Sequence, residues 1–289
     1  MYLIQNDRYR ITLKADGAEL CSFLDTEEKK EFMWQADPQV WPRHAPILFP
    51  IVGRLQEDTF TYQGETYRLP QHGFARDQTF AVAEETDNSL LFELRESAET
   101  LKQYPFSFVL QVKYVLERNT VTVGYRVHNP GEDDMYFSIG GHPGFNCPLQ
   151  AGEMFNDYYL EFDQPETLER YLVEEGLLTG ETEKVMEDKR VLPLQDDLFA
   201  KDALVLKEFA SSQLTLRSNK HPHQVNVRFK NFPYLGIWSK PVGASFLCIE
   251  PWFGVASTIG SSSDLTKKEG ILHLAPGQDF TCSYAISIS

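Results

Sequence analysis

Apolar side chains recur at every second position over most of this chain. In residues 108–116, Phe108, Leu110, Val112, Tyr114 and Leu116 fall on one face, while Gln111 and Lys113 fall on the other. After Arg118-Asn119 the pattern repeats, with Val121, Val123, Tyr125 and Val127 inward and Thr122 and Arg126 outward. A period of two fits a strand with one buried face and not a helix, whose side chains repeat every 3.6 residues. The two runs therefore predict a hairpin. Similar runs occupy residues 8–14, 59–69, 79–84, 90–96, 158–162, 204–206, 213–217, 224–230, 235–240, 246–250 and 280–288, separated by Gly, Pro, Asn or Asp. So many short strands in sequence predict an all-β fold, a large antiparallel β-sandwich or barrel. Helical signals are few. Residues 98–103, ahead of Pro105, predict one short helix, and 166–172 and 193–199 are weaker helical candidates. Residues 172–190 are acidic and poor in core residues, and predict an exposed loop or an edge hairpin. No change of composition divides the chain, so a single domain over residues 1–289 is expected.

Charge narrows the partners. The chain carries 42 acidic and 27 basic residues, a formal net charge of −15. Such a surface repels polyanions, so nucleic acid and anionic membranes are not expected partners. No run approaches the ~18 apolar residues of a membrane span. The opening Met1 to Arg8 has no basic region followed by an apolar run, so no signal peptide is expected. Cys21, Cys147, Cys248 and Cys282 are scattered without a metal or redox spacing, which fits reduced thiols in a cytoplasmic protein. His221-Pro-His223 lacks the further clustered ligands a metal demands and reads as an exposed loop. Cys147 has no orienting partner in sequence and reads as an ordinary cysteine.

Four places combine a reactive side chain with turn chemistry. Arg54 lies in F-P-I-V-G-R-L, His72 in L-P-Q-H-G-F-A-R, His142 in G-G-H-P-G-F-N and Glu250 in F-L-C-I-E-P-W-F-G. Phe246, Cys248 and Glu250 alternate and so share a face. A carboxyl on a buried face is costly unless paired or used, and burial raises its pKa toward that of a base working near neutrality. The bland reading is that Glu250 ends the strand and points to water, since Pro251 follows. His142 either exchanges a proton near neutrality or fixes a glycine-rich turn. The glycines supply unusual backbone angles or close approach. Arg54 is either a surface charge or a fork for ligand hydroxyls. Trp238, Trp252 and Phe145 either stack on a ligand or pack in the core.

Taken together, W-P-R-H-A-P-I-L-F-P-I-V-G-R-L, Q-H-G-F-A-R, G-G-H-P-G-F-N-C-P-L, G-I-W-S-K-P and C-I-E-P-W-F-G resemble the aldose 1-epimerase (galactose mutarotase) superfamily, most of all its LacX-like branch. The resemblance runs from Gly17-Ala18-Glu19-Leu20 to the closing L-A-P-G-Q-D-F. It implies a galactose mutarotase-like β-supersandwich with an open sugar cleft on one concave sheet face. It also implies interconversion of the α and β anomers of a hexose without metal or redox cofactor. By similarity Glu250 is the base on the anomeric hydroxyl and His142 the acid on the ring oxygen. Arg54 and His72 would hold sugar hydroxyls, and Trp238 would bind the sugar as a stacking platform. Asp202, in K-D-A-L-V-L, is the best match to a sugar-binding Asp, although the family's adjacent His is missing here.

Two alternatives remain open at this level. The sugar is free or phosphorylated, and Arg43, Arg76 and Lys240 are the basic residues near the motifs that a phosphate would need. A non-catalytic carbohydrate-binding or regulatory protein is the other, since a fold does not fix function. A glycosidase ranks last, because it normally needs two carboxylates flanking the bond. Oligomeric state, monomer or homodimer, is not legible.

Overall fold

The computed structural model describes residues 1–241 and 245–289. The alternating runs form the strands they predict. Val109–Glu117 and Thr120–His128 pair antiparallel, with Tyr114 opposite Val123 and Leu116 opposite Val121. Their inward side chains are removed from water, which is the main stabilising contribution of such a pair. Successive antiparallel pairings extend this hairpin into one continuous sheet. From one edge it runs Ile47–Leu48, Ile139–Gly141, Phe246–Phe253, Tyr234–Trp238, Leu204–Leu206, Tyr158–Glu174, Gln213–Ser218 and Gln224–Arg228. It continues through Asp279–Ile288, Thr120–His128, Val109–Glu117 and Ser89–Arg95 to Ala81–Glu85. A twisted sheet this wide curls until its own faces meet. Leu235 and Ile249 from one end thus share a core with Leu110 and Tyr284 from the other. The fold is an all-β antiparallel sandwich, as expected.

Two strands decide where chemistry can occur. Along Phe246–Phe253, Leu247 and Ile249 enter the main core, while Phe246, Cys248 and Trp252 join smaller clusters on the opposite face. Tyr234–Trp238 pairs with it so that Gly236 lies opposite Glu250 and Trp238 opposite Cys248. The strand does not end at Glu250. It continues through Pro251, which sits opposite Leu235, to Phe253. Glu250 is therefore a mid-strand residue and does not point to water.

The long hairpin corrects one expectation and meets the second of two alternatives for another. Tyr158–Glu174 and Leu177–Pro193 are strands of 17 residues each, so 166–172 is not helical and 172–190 is an edge hairpin, not a loop. Its tip, Glu175 and Gly176, has φ of +49° and +81°, the two left-handed residues that a tight hairpin turn requires. Glu166 is buried and accepts backbone N–H groups of Ala210 and Ser211 at 3.0 and 2.6 Å, which anchors a strand and not a helix. Pro193 ends the second of these strands and residues 196–199 form a turn, so 193–199 holds no helix. The 98–103 helix is present, capped by Ser97, whose side chain accepts the Thr100 N–H at 3.2 Å. Among the described residues no helix is long and apolar enough to cross a membrane.

The glycines at 140, 141 and 144 are explained by neighbours and not by unusual φ. A Cβ on Gly140 would meet Trp252 at 2.6 Å, on Gly141 the Tyr284 ring at 2.7 Å, and on Gly144 Trp41 at 2.7 Å. The Trp252 indole also leans over Gly236, where a Cβ would lie 2.3 Å from it. Gly236→Ala is therefore expected to displace Trp252 and destabilise the fold by about 1–3 kcal/mol, read from denaturant unfolding. An unchanged midpoint would mean that the indole has room to move.

Candidate active site

The register of two short strands creates a pair. Ile139–Gly141 and Gly144–Asn146 both pair with Phe246–Phe253, with Gly140 opposite Trp252 and Gly144 opposite Cys248. The same register puts His142 opposite Glu250. Side chains directly across an antiparallel pair share a face and touch. The His142 Nε2 lies 3.2 Å from the Glu250 Oε2, with both side chains almost fully buried. His142 is held by its backbone N–H, which donates to the Pro46 carbonyl at 3.1 Å. The two functional groups keep free valences. Among the described residues, His142 Nδ1, Glu250 Oε2 and Trp252 Nε1 have no aligned hydrogen-bond partner. Buried polar atoms are rarely left so, and all three residues line one cleft of about 510 Å³.

Aromatic rings wall the pair. Trp41 stacks on the His142 imidazole, ring centres 5.0 Å apart, and Trp238 meets it edge-on at 5.8 Å. Trp41 also stacks on Phe246 at 5.2 Å, so the imidazole is the outer member of an aromatic pile. His72 stands edge-on to His142 at 5.7 Å. Its Nδ1 accepts the Gly53 N–H at 3.1 Å, so the neutral ring carries its proton on Nε2, as a donor. The left-handed φ of +67° at His72 and +68° at Gly73 turns the chain there, and Gly73 packs so closely that a Cβ would lie 2.3 Å from the Phe49 carbonyl oxygen.

The structure places the remaining expected site residues unequally. His72, Asp202 and Trp238 line the cleft with Glu250 and His142. Arg54 does not. Its guanidinium is taken by Asp58, at 2.8 Å from Nε, and by the Glu175 carbonyl, at 2.8 Å from Nη1. It clamps the tip of the long hairpin, whose Gly176 and Leu178 do reach the cleft. The arginine that lines the cleft is Arg76, whose Nη2 donates to the Gln71 carbonyl at 2.6 Å, while its buried Nε makes no hydrogen bond and lies 3.8 Å from the Asp77 carboxylate. Arg43 pairs with Asp77 at 2.8 Å, and Lys240 is exposed outside the cleft. Phe145 lies wholly in the main core and cannot stack on a ligand. His221 is not in an open loop. It lies 3.0 Å from Glu153 and 2.9 Å from the Tyr158 hydroxyl, away from the cleft. Trp41 was hidden in the W-P-R-H run, because no local pattern distinguishes a ring that stacks on histidine from one that fills a core.

Burial dominates the electrostatics. It pulls His142 down to about 3, helped by the positive charges of Arg76 and Arg43. It drives His72 well below the usual histidine value, with His142 and Arg76 adding to the effect. It pushes the Glu250 carboxyl well above 4.5 against the opposing pull of the nearby Trp252 indole N–H, and the Asp202 charge adds to the rise. The His142–Glu250 pair thus holds one proton near neutrality, in its uncharged form. Groups of opposite type displaced in opposite directions inside one cleft are a mark of a working site.

The comparisons with known proteins decide the family. A family model described as aldose 1-epimerase matches residues 1–261. The chain belongs to the aldose 1-epimerase family. It is 34% identical over 294 residues to the protein LacX of Lactococcus lactis subsp. lactis, covering 99% of this chain and 98% of that one. It superposes on a galactose mutarotase related enzyme from Lactobacillus acidophilus with a TM-score of 0.96 and 38% identity, covering 100% and 97% of the two chains. A galactose mutarotase-like protein from Lactobacillus casei ATCC 334 gives 0.94 and 33%, with both chains fully covered. Membership makes this an isomerase-type enzyme with a sugar epimerase or mutarotase kind of function.

The buried carboxyl has a thermodynamic consequence. In the folded state Glu250 titrates above 4.5, whereas the unfolded chain loses this proton near 4.5. Folding therefore becomes less favourable as pH rises above 4.5 until the folded carboxyl itself ionises. His142 acts oppositely, since stability rises with pH between its folded value of about 3 and the ordinary 6.5. Glu250→Gln removes only the first contribution. Its melting midpoint is expected to rise relative to that of wild type as pH increases above 4.5. A difference that does not vary with pH would show that Glu250 is not proton-linked to folding.

Proposed function

We propose that the protein interconverts the α and β anomers of a hexose by acid/base opening and closure of the ring. The carrying observation is the buried His142–Glu250 pair at 3.2 Å, with unpartnered atoms in a cleft. Mutarotation needs a base at the anomeric hydroxyl and an acid at the ring oxygen. Both oxygens are bonded to the same carbon, so the acid and base must be immediate neighbours. A glycosidase instead spaces its two carboxyl groups by roughly 5–9.5 Å.

Glu250, as carboxylate, takes the proton of the anomeric hydroxyl. The oxygen electrons form the carbonyl, the bond from the anomeric carbon to the ring oxygen breaks, and that oxygen takes the His142 proton. Rotation of the carbonyl and the reverse transfers close the other anomer. At the open-chain stage Glu250 is protonated and His142 neutral, the state that burial favours in both groups. The proton that the resting pair carries on Glu250 passes first to His142 across the 3.2 Å contact, and ring opening then returns the pair to its uncharged form. The His72 Nε2–H would donate to a sugar hydroxyl and Asp202 would accept from one. The Trp238 and Trp252 rings offer apolar faces to the sugar's C–H groups.

A second reading concerns the substrate. Arg76 lines the cleft with an Nε that makes no hydrogen bond, and the Arg43 charge is close enough to act on both cleft histidines. This favours including hexose 6-phosphates, for which a guanidinium is a suitable partner.

The deciding measurement is anomer exchange of galactose, glucose and their 6-phosphates by NMR. Wild type is expected to accelerate one of them. Glu250→Gln and His142→Ala are each expected to lose on the order of 10²–10⁴ in rate while sugar binding persists. Binding without acceleration by wild type would replace the enzyme reading with that of a binding protein. The pH profile is a further check. Activity needs one proton on the pair, so it falls only when a second proton binds near pH 3 or when the raised Glu250 proton is lost. No inflection is expected at the ordinary histidine value of 6.5, and a clear one would reject this assignment.

A further inference from the structure

Directly behind the His142–Glu250 pair lies a third donor. Cys248 is two residues before Glu250 on the same face of Phe246–Phe253, and it is fully buried. The ligand atoms of His142, Cys248 and Glu250 all lie within 4.8 Å of one another. We propose that these three residues form a binding site for a zinc-type divalent ion that blocks the sugar cleft. The proposal rests on the reading that sugar binds at Glu250 and His142.

The geometry and donor set both fit. Tetrahedral zinc with bonds of about 2.0–2.3 Å needs ligand atoms roughly 3.3–3.7 Å apart. The His142 Nε2 and Glu250 Oε2 are already at 3.2 Å, and Glu250 Oε2 has no aligned partner to lose. Two donors come from one strand and the third from directly across it, so no loop must reorganise to gather them. Imidazole, thiolate and carboxylate together suit zinc better than magnesium or calcium, which prefer oxygen alone. The thiolate and carboxylate balance the ion's two charges once the thiol proton and the pair's shared proton have left. Three protein ligands leave a fourth position open to the cleft, where water would stand in the place of a sugar hydroxyl. A comparable group elsewhere, Glu19, Cys21 and His44, is less available. Its Glu19 carboxylate already accepts the His44 and Ala45 N–H groups at 2.7 and 2.9 Å and pairs with Lys14.

Cobalt(II) provides a readout that does not depend on activity. A thiolate–cobalt charge-transfer absorption in the near ultraviolet is expected with wild type, absent with Cys248→Ala and with the closer-sized Cys248→Ser, and retained with Cys21→Ala. Whichever of galactose, glucose and their 6-phosphates binds the cleft is expected, in excess, to bleach it. In the exchange assay, zinc is expected to inhibit wild type in competition with sugar. Cys248→Ala, active without metal, should need at least about 10–100 times more zinc, since disturbing even outer-shell partners costs that much affinity. A band that survives in Cys248→Ala, or vanishes in Cys21→Ala, would overturn the proposal, as would equal zinc sensitivity in wild type and Cys248→Ala. If no sugar is turned over at all, the function proposed above fails. The cobalt band and its loss in Cys248→Ala but not in Cys21→Ala would still decide the metal site.

Discussion

A carboxyl buried in the middle of a strand, 3.2 Å from an imidazole, is the constraint around which this molecule is arranged. Nothing in sheet formation requires it. Glu250 occupies a position where a strand of this kind would gain more from an aliphatic residue, and its neighbours Leu247 and Ile249 follow that preference on the other face. Holding such a pair demands a rigid cross-strand register on both sides. Phe246–Phe253 is correspondingly flanked by Ile139–Gly141 with Gly144–Asn146 on one side and Tyr234–Trp238 on the other. The glycines at 140 and 236 then have a single physical explanation, space for the Trp252 ring beside the carboxyl.

Much of this was legible in the sequence because period-two alternation reports burial directly. The hairpin at Val109–Glu117 and Thr120–His128 was readable to within a residue or two, and the shared face of Phe246, Cys248 and Glu250 followed from the same rule. What alternation does not report is partnership. Pro251 suggested a strand end, yet a proline can occupy a strand where its missing N–H is not needed, and here the pairing with Leu235 continues through it. The helical expectation at 166–172 failed because local propensity was outweighed by pairing along a 17-residue strand. The two left-handed residues at its tip, Glu175-Gly176, were the available signal for the turn.

The arginines show why family motifs carry a site only so far. Arg54 and Arg76 are both motif residues with equal claims on a ligand when read as letters. In space Arg54 is consumed by Asp58 and the hairpin tip, whereas Arg76 lines the cleft with only a distant ion pair to Asp77, 3.8 Å from its Nε. Their tasks are complementary. The first fixes the hairpin that brings Gly176 and Leu178 over the cleft, and the second offers the cleft a partly desolvated positive charge. Burial lowers Arg76 to about 10, with Arg43 contributing, so its charge is retained near neutrality although poorly hydrated. A poorly hydrated guanidinium gives up little solvent when it takes an anionic or hydroxyl partner, which makes it a strong contributor to recognition.

The proposed acid/base pair and the proposed metal site rest on one geometrical fact. Two oxygens on one carbon require an acid and a base in contact, and an imidazole in contact with a carboxyl is also two-thirds of a zinc site. Whether such a pair attracts metal depends on the third donor. On the cleft-facing side of the same strand, two positions from Glu250, any residue would point at the pair because of the strand's own periodicity. Here that residue is Cys248. A valine there would leave the proton chemistry intact and provide no third ligand. In this proposal metal affinity is set by a position that the proposed mechanism does not use, and it would change by substitution there without disturbing the register that holds His142 against Glu250.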